Sequence, residues 1–152
     1  MRRFALTVVG AVHLVLLDAV AKEAAAFLFK GTAAFRVIPG FFDLAYVENR
    51  GCAWGMFQGA TWPLAVFGAA ALAFAVWKRK ELFAGSAAAE CLLYAGIAGN
   101  LVDRVFRGFV IDFIDLHWAD AWHFPCFNIA DVCITFGAAL TILESLRKPE
   151  RR

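Results

Sequence analysis

The sequence predicts an all-α membrane protein with four transmembrane helices, and three observations carry that expectation. The chain is 62% hydrophobic with a mean hydropathy of +0.66, far from the composition of a soluble globule. Four apolar segments reach or approach the ~20 residues that a helix needs to cross a bilayer. The basic residues fall between those segments in a one-sided pattern. At 152 residues the chain is sized for one domain, taken as residues 1–152.

The first segment runs over 4–29. The second, 62–77, has Pro63 placed for a first helical turn and a tryptophan at each end, Trp62 and Trp77, as interfacial belts favour. The third runs over 82–105 and the fourth over 128–146. A soluble bundle would need a polar face on every helix, and 62–77 has none. Arg2-Arg3, an apolar run and Ala19-Val20-Ala21 have the form of a cleavable export signal. Against cleavage, Asp18 falls in the cleavage region and apolar residues continue through Phe29. Removal would also leave an odd number of spans. The segment is therefore expected to stay as the first span.

Arg2, Arg3, Lys78, Arg79, Lys80, Arg147, Lys148, Arg151 and Arg152 make nine of the 15 Lys and Arg. With four spans all nine lie on one side, and positive residues stay cytoplasmic. Both termini are then inside, and the outward segments are 30–61 and 106–127. No internal repeat or linker is visible.

Polar groups in such a frame are costly and tend to mark function. Asp18 lies 15 residues beyond Arg3, which is ~22 Å of helix. Asp131 lies 16 residues before Arg147, or ~24 Å. Against a hydrocarbon core of ~30 Å, both carboxylates land at one level near the outer face. Asn100, Asp103 and Arg104, spaced i, i+3 and i+4, share one face at the same end of the third helix. Asp112 stands between Ile111 and Phe113, and Asp131 follows 19 residues later, after an aromatic-rich loop. Two carboxylates brought together near a low-dielectric medium share a proton. Aspartic proteases work this way: one carboxylate activates water and its protonated partner polarises the scissile carbonyl. The spacing brings both to the outer interface without fixing whether they meet.

Five short motifs occur in order: Asp18-Ala-Val-Ala-Lys22, ENRGCAWG from Asn49 to Gly55, GNLVDR from Gly99 to Arg104, VIDF from Val110 to Phe113, and FNIAD from Phe127 to Asp131. In these, and in its four-span frame, the chain resembles the bacterial lipoprotein signal peptidases (signal peptidase II), which are intramembrane aspartyl proteases. The resemblance implies that Asp112 and Asp131 are the catalytic dyad. It implies that Asp18, Asn49, Asn100, Asp103, Arg104 and Asn128 shape the site, orient the dyad and hold the substrate backbone. It also implies a substrate, a prolipoprotein with a diacylglyceryl cysteine, cut on the N-terminal side of that cysteine at the bacterial cytoplasmic membrane. Alternating and aromatic stretches between Gly31 and Gly59, such as FRVIPGFF, suit short strands. In the family such a segment builds a small extracytoplasmic sheet lying on the membrane. Gly51, Gly55 and Gly59 make this outward segment the expected mobile one.

The chain departs from the family pattern at Ala19, Arg50 and Cys52, and at Ala95-Gly96-Ile97-Ala98, where a glycine pair is common. Glu90, ten residues past Lys80, is expected ~15 Å deep and paired with His13. Asp103 with Arg104 or Arg107 is equally readable as a structural ion pair. Asp18 reads better as a structural hydrogen-bonding group than as a proton carrier. Asp115 and Asp120 read as loop carboxylates, and Trp118, Trp122 and Phe124 as interfacial anchors.

His117 and His123 are not at a ligand spacing, so no metal and no other cofactor is expected. Membrane lipid is an expected partner, nucleic acid is not, and the protein is expected to be a monomer. Two other classes compete. A proton-coupled transporter would use Asp18, Glu90 and Asp131 as a relay. A thiol oxidase would want outward-facing cysteine pairs, and only Cys52 and Cys126 face outward.

Overall fold

A computed structural model describes residues 2–52, 56–83, 85–119 and 121–147. Ala53, Trp54 and Gly55 of the ENRGCAWG motif, Asp120, and the basic residues Lys148, Arg151 and Arg152 lie outside the described residues. The element order is α1 (Arg2–Phe29), β1 (Phe35–Ile38), β2 (Phe42–Asn49), α2 (Thr61–Trp77), α3 (Arg79–Leu82), α4 (Ala87–Phe106), β3 (Val110–Trp118), β4 (Trp122–His123) and α5 (Ile129–Arg147). Helices dominate, with one small antiparallel sheet in the order β1-β2-β3-β4.

The buried residues of α1 are Thr7, Ala11, Asp18, Lys22 and Ala25. They recur at helical spacing and form one inward stripe. The outward faces carry Leu6, Leu16, Val20 and Phe27, all exposed. A helix with Asp18 and Lys22 inside and its large apolar side chains outside is inverted relative to a soluble helix, and suits a lipid surround. The helix ends before Gly31, whose φ of 77° is a left-handed conformation that glycine adopts without a Cβ penalty.

Helices α1 and α5 are long and apolar enough to cross a membrane by length and composition. Helix α2 is apolar but has 17 residues, and α4 has 20 with Glu90, Asp103 and Arg104 among them. The third segment does not begin at residue 82 as expected. The chain breaks after α3, turns at Gly85 (φ 94°), and restarts at Ser86, whose side chain accepts the Ala89 N–H at 3.4 Å. Ser86 is thus an N-cap, and Glu90 sits in the first turn of α4 and not mid-span. Its partner is Arg79, whose Nε donates to Glu90 Oε1 at 2.7 Å, while the Tyr94 hydroxyl donates to the same oxygen at 3.1 Å. His13 instead bonds the Val9 carbonyl through Nδ1 at 2.7 Å, so the expected His13–Glu90 pair does not form.

Helix α4 is the centre of the bundle and packs on α1, α2 and α5. Small residues allow this approach. A Cβ at Gly137 would lie 2.8 Å from the Leu93 amide nitrogen. A Cβ at Gly96 would collide with the Ala130 carbonyl and stand 2.8 Å from the Ile134 amide nitrogen. Of residues 95–98, where a glycine pair is common in the family, Gly96 provides the close approach, and Ala95 is simply buried in the core. Because those atoms are backbone of α5, the clash at position 96 has no side chain to move aside. Gly96→Ala is expected to destabilise the protein by about 1–3 kcal/mol, read as a lowered melting temperature.

The sheet includes more of the chain than the sequence indicated. β1 and β2 lie in 31–59 as expected, joined through Gly40 (φ 77°). The aromatic segment after α4, read as a loop, forms β3, and Asp115 lies on that strand with Oδ1 3.3 Å from His123 Nδ1. β3 is held on both sides. β2 pairs along one edge, with Asn49 opposite Val110 and Val47 opposite Asp112. On the other edge the Phe113 and Ile114 amides donate to the Phe127 carbonyl at 3.0 and 2.9 Å. This second contact ties the entry of α5 to the strand that carries Asp112.

Candidate active site

The head of α5 explains the pairing of Asn128 with Asp131. The Asn128 side chain accepts the Asp131 N–H at 2.9 Å. The Asp131 carboxylate accepts the Asn128 N–H at 3.3 Å. This is a reciprocal capping box, closed here by an aspartate, which satisfies two orphan N–H groups of the helix start. A third, the Ala130 N–H, donates to Asp18 Oδ1 at 2.9 Å. FNIAD therefore folds as it does for a local reason: Asn128 starts the helix, and Asp131 is fixed one turn in.

The amide of Asn128 then reaches outward. Its Nδ2 donates to Asp112 Oδ1 at 2.6 Å and to Asn100 Oδ1 at 3.2 Å. Asn100 Nδ2 donates to Asp131 Oδ1 at 2.7 Å. Asn49 Nδ2 donates to the other Asp112 oxygen at 2.9 Å, a diagonal pair across β2 and β3 on one sheet face. Asp112 and Asp131 thus belong to one network, each held by asparagine donors. Asn128 is fully buried and Asp112 is 2% exposed.

Asp112, on β3, has its carboxyl pushed up to about 7, first by loss of water on burial and then by the Asp131 charge; the amides of Asn49 and Asn128 oppose the shift. A carboxyl in that range holds a proton through much of the neutral region, as an aspartyl dyad requires.

Behind Asp112 and Asp131 stands Lys22, to which the sequence alone assigns no role. Lys22 has no exposed surface. Its Nζ lies 2.6 Å from Asp18 Oδ2, 2.9 Å from Asp103 Oδ2 and 3.1 Å from Asn100 Oδ1, so three donors meet three acceptors. Asn100 Oδ1 accepts from both Lys22 and Asn128, so its Nδ2 faces Asp131. The signal was available: a lysine four residues after Asp18, in an apolar run, must share a helix face with it and needs a partner.

Asp103 also accepts from Arg107 Nε at 2.9 Å and from the Ile111 N–H at 3.3 Å, which anchors the start of β3. Its ion pairs are with Lys22 and Arg107. Arg104 instead donates to the Gly51 carbonyl at 2.9 Å and to the Asn100 carbonyl at 3.4 Å. One guanidinium arm thus holds the loop after β2. Arg50, at a position that departs from the family pattern, pairs with Glu48 at 3.2 Å.

All eight residues singled out in the sequence converge, and they divide in two. Asn49, Asn100, Arg104, Asp112 and Asp131 line a cavity of about 710 Å³. Asp18, Asp103 and Asn128 stand behind it. The other walls are apolar, from Leu64, Phe67 and Ala71 of α2, Leu101 of α4, and Ile134 and Phe136 of α5. Trp118 and Trp122 are exposed near the sheet tip.

Cys52 and Cys126 both line the cavity, with no disulfide between them. Burial pushes the Cys126 thiol up to about 12, which is opposite to what a redox-active thiol needs. His117 and His123 stack with centroids 4.9 Å apart. Among the described residues no group of three or more His, Cys, Asp or Glu side chains is arranged to hold a metal.

The family model described as Signal peptidase (SPase) II matches residues 10–147. The chain is 34% identical over 143 residues to a lipoprotein signal peptidase of Clostridium acetobutylicum, covering 91% of this chain and 92% of that one. It is 38% identical over 144 residues to one of Paraburkholderia phymatum, covering 91% and 86%. Two solved structures of a bacterial membrane enzyme, obtained by the in meso method at 2.3 and 1.9 Å, superpose with TM-scores of 0.76 and 0.79. Each is 33% identical to this chain, and the match covers 97% and 95% of it and 94% and 95% of those chains. With the match running through all but the ends of the sequence, the chain belongs to the signal peptidase II family.

Proposed function

We propose that the chain is an intramembrane aspartic endopeptidase whose dyad is Asp112 and Asp131. As a signal peptidase II it removes signal peptides from prolipoproteins in the bacterial inner membrane. The reading extends to a single membrane domain over residues 1–152, with four spans, both termini cytoplasmic and the site at the outer face. The substrate carries a diacylglyceryl cysteine and is cut on the N-terminal side of that residue. The observation that carries the dyad is the shared asparagine network: Asn128 bonds Asp112 directly, and Asn100 bonds both Asn128 and Asp131.

The reaction follows from that geometry. One carboxylate takes a proton from a water placed between the two side chains, and the water oxygen adds to the scissile carbonyl carbon. The protonated partner donates to the carbonyl oxygen as it gains charge. Collapse of the tetrahedral species breaks the C–N bond, and the new amine takes its proton from the dyad. Asn49 and Asn128 keep the Asp112 carboxyl aimed as its charge changes. The apolar walls from α2, α4 and α5 suit the signal-peptide segment and the acyl chains, and they limit entry of bulk water.

Cleavage of a diacylated precursor by the purified protein, beside the same precursor without lipid, tests the reading. Release of the signal peptide from the lipidated form alone is the expected result. Cleavage of neither form would overturn it.

A pH dependence follows. Catalysis needs one proton on the dyad, so activity should fall as pH rises through the neutral range and Asp112 loses its proton. The Asn49 amide stabilises the charged form of Asp112. Removing it raises the carboxyl further, so Asn49→Ala should move the alkaline limb of kcat/KM upward by about one pH unit. An unmoved limb would separate that limb from Asp112.

A further inference from the structure

At the other end of the bundle from the carboxylates lies a second cavity, of about 400 Å³, walled by Arg3, Phe4, Arg79, Lys80, Phe83 and Glu90. We propose that it holds the phosphate of an anionic phospholipid of the inner leaflet, a site that rests on the orientation proposed above. Three cations and one carboxylate face this space. Arg79 is committed: its Nε and Nη2 meet the Glu90 oxygens at 2.7 and 3.3 Å, and its guanidinium lies 4.0 Å from the Phe4 ring centroid. Neither Arg3 nor Lys80 has an acidic partner among the described residues. Two unneutralised cations therefore share one concave site.

The space is built to stay open. Phe83 is 1% exposed and packs edge-on against Tyr94 with centroids 5.6 Å apart, giving a fixed apolar floor. At Gly85 an added Cβ would stand 3.5 Å from Arg3 Nη1, ordinary contact distance, so the Arg3 guanidinium lies against this turn at the rim. The source of the phosphate follows from what lies beside it. Leu6 and Val9, one and two turns along α1 from Arg3, are 67% and 52% exposed. An anion with acyl chains covers that apolar flank while its phosphate meets Arg3 and Lys80; a free phosphate leaves it uncovered. Basic pockets between transmembrane helices on the cytoplasmic side bind lipid headgroups in this manner.

The test uses the full chain in zwitterionic bicelles, titrated with phosphatidylglycerol, with melting temperature and lipid retention by native mass spectrometry as readouts. Wild type should be stabilised, and inorganic phosphate at the same concentration should have no effect. Each basic residue at an anionic surface is worth about a fivefold change in affinity, so Arg3→Gln/Lys80→Gln should retain the lipid about 30-fold more weakly. Arg36→Gln, on exposed β1, should match wild type. Equal stabilisation by phosphate alone would overturn the lipid assignment, and undiminished retention by the double variant would overturn the site. Precursor cleavage in the same samples scores the protease reading apart from this one, because Arg3 and Lys80 lie away from the dyad and the double variant should still cleave. Labelling of Lys80→Cys, above the wild-type background, only after cells are opened scores the orientation on its own.

Discussion

Asp112→Asn and Asp131→Asn should each lower the cleavage rate by about 10⁴-fold, the scale at which members of a catalytic unit fail when one is removed. An amide at 131 can neither take the proton from water nor share one with Asp112. It also sets an N–H against one of the two donors to that carboxylate, Asn100 Nδ2 at 2.7 Å or the Asn128 N–H at 3.3 Å. An amide at 112 likewise sets one N–H against the donors Asn49 and Asn128. Both variants should fold, because the helix start and the sheet register remain. A carboxyl whose folded pKa is raised contributes stability that is present at low pH and lost as pH rises through the folded pKa. For Asp112 that window runs from the ordinary carboxyl value of 3.8 to about 7. Across it, Asp112→Asn should gain on wild type by up to about 4 kcal/mol. Melting curves at pH 4 and pH 8 check this, and an Asp112→Asn variant that gains nothing on wild type between them would contradict the buried-acid account.

The second large effect is structural. Lys22→Met should destabilise the protein by about 3–5 kcal/mol, the usual cost of stripping one partner from a buried ion pair. The lost ammonium leaves Asp18 and Asp103, both almost fully buried, without their shared counterion. It also releases the Asn100 carbonyl oxygen, held by Lys22 at 3.1 Å, and with it the amide that faces Asp131. Activity should fall together with stability. Asp103 keeps Arg107 at 2.9 Å, so Asp18 is the carboxylate left without a cation, and adding Asp18→Asn to Lys22→Met should recover part of the lost melting temperature. A double variant no more stable than Lys22→Met would mean that Lys22 does not hold Asp18.

These effects centre on residues that differ in how plainly they show in the sequence. Asp131 was legible because a carboxylate in an apolar run must be explained, and Asn128 because asparagine favours helix starts. Their reciprocal bonds, and the reach of Asn128 to Asp112, needed the sheet. β3 is hard to see because Asp112 and Asp115 interrupt its apolar residues, although the alternation from Ile114 to Trp118 is the period of a strand. Without β3, nothing showed that the Phe127 carbonyl ties α5 to Asp112. The misplaced depth of Glu90 has a local cause too. Gly85-Ser86 is a turn followed by a cap, yet the hydropathy of 82–105 runs across it and places the helix start too early. Lys22 was hidden by its motif, since a long amphipathic side chain in a membrane helix is easily taken to snorkel.

The central claim is that the two carboxylates act as one unit. Its most direct test is precursor cleavage by folded Asp112→Asn, Asp131→Asn and the double variant, measured side by side with wild type. Here the double variant should be no slower than either single one, because removing one member of a shared-proton pair already ends its chemistry. Losses that multiply, or a single variant that keeps most of its activity, would show that the two aspartates work separately and that the dyad is misassigned.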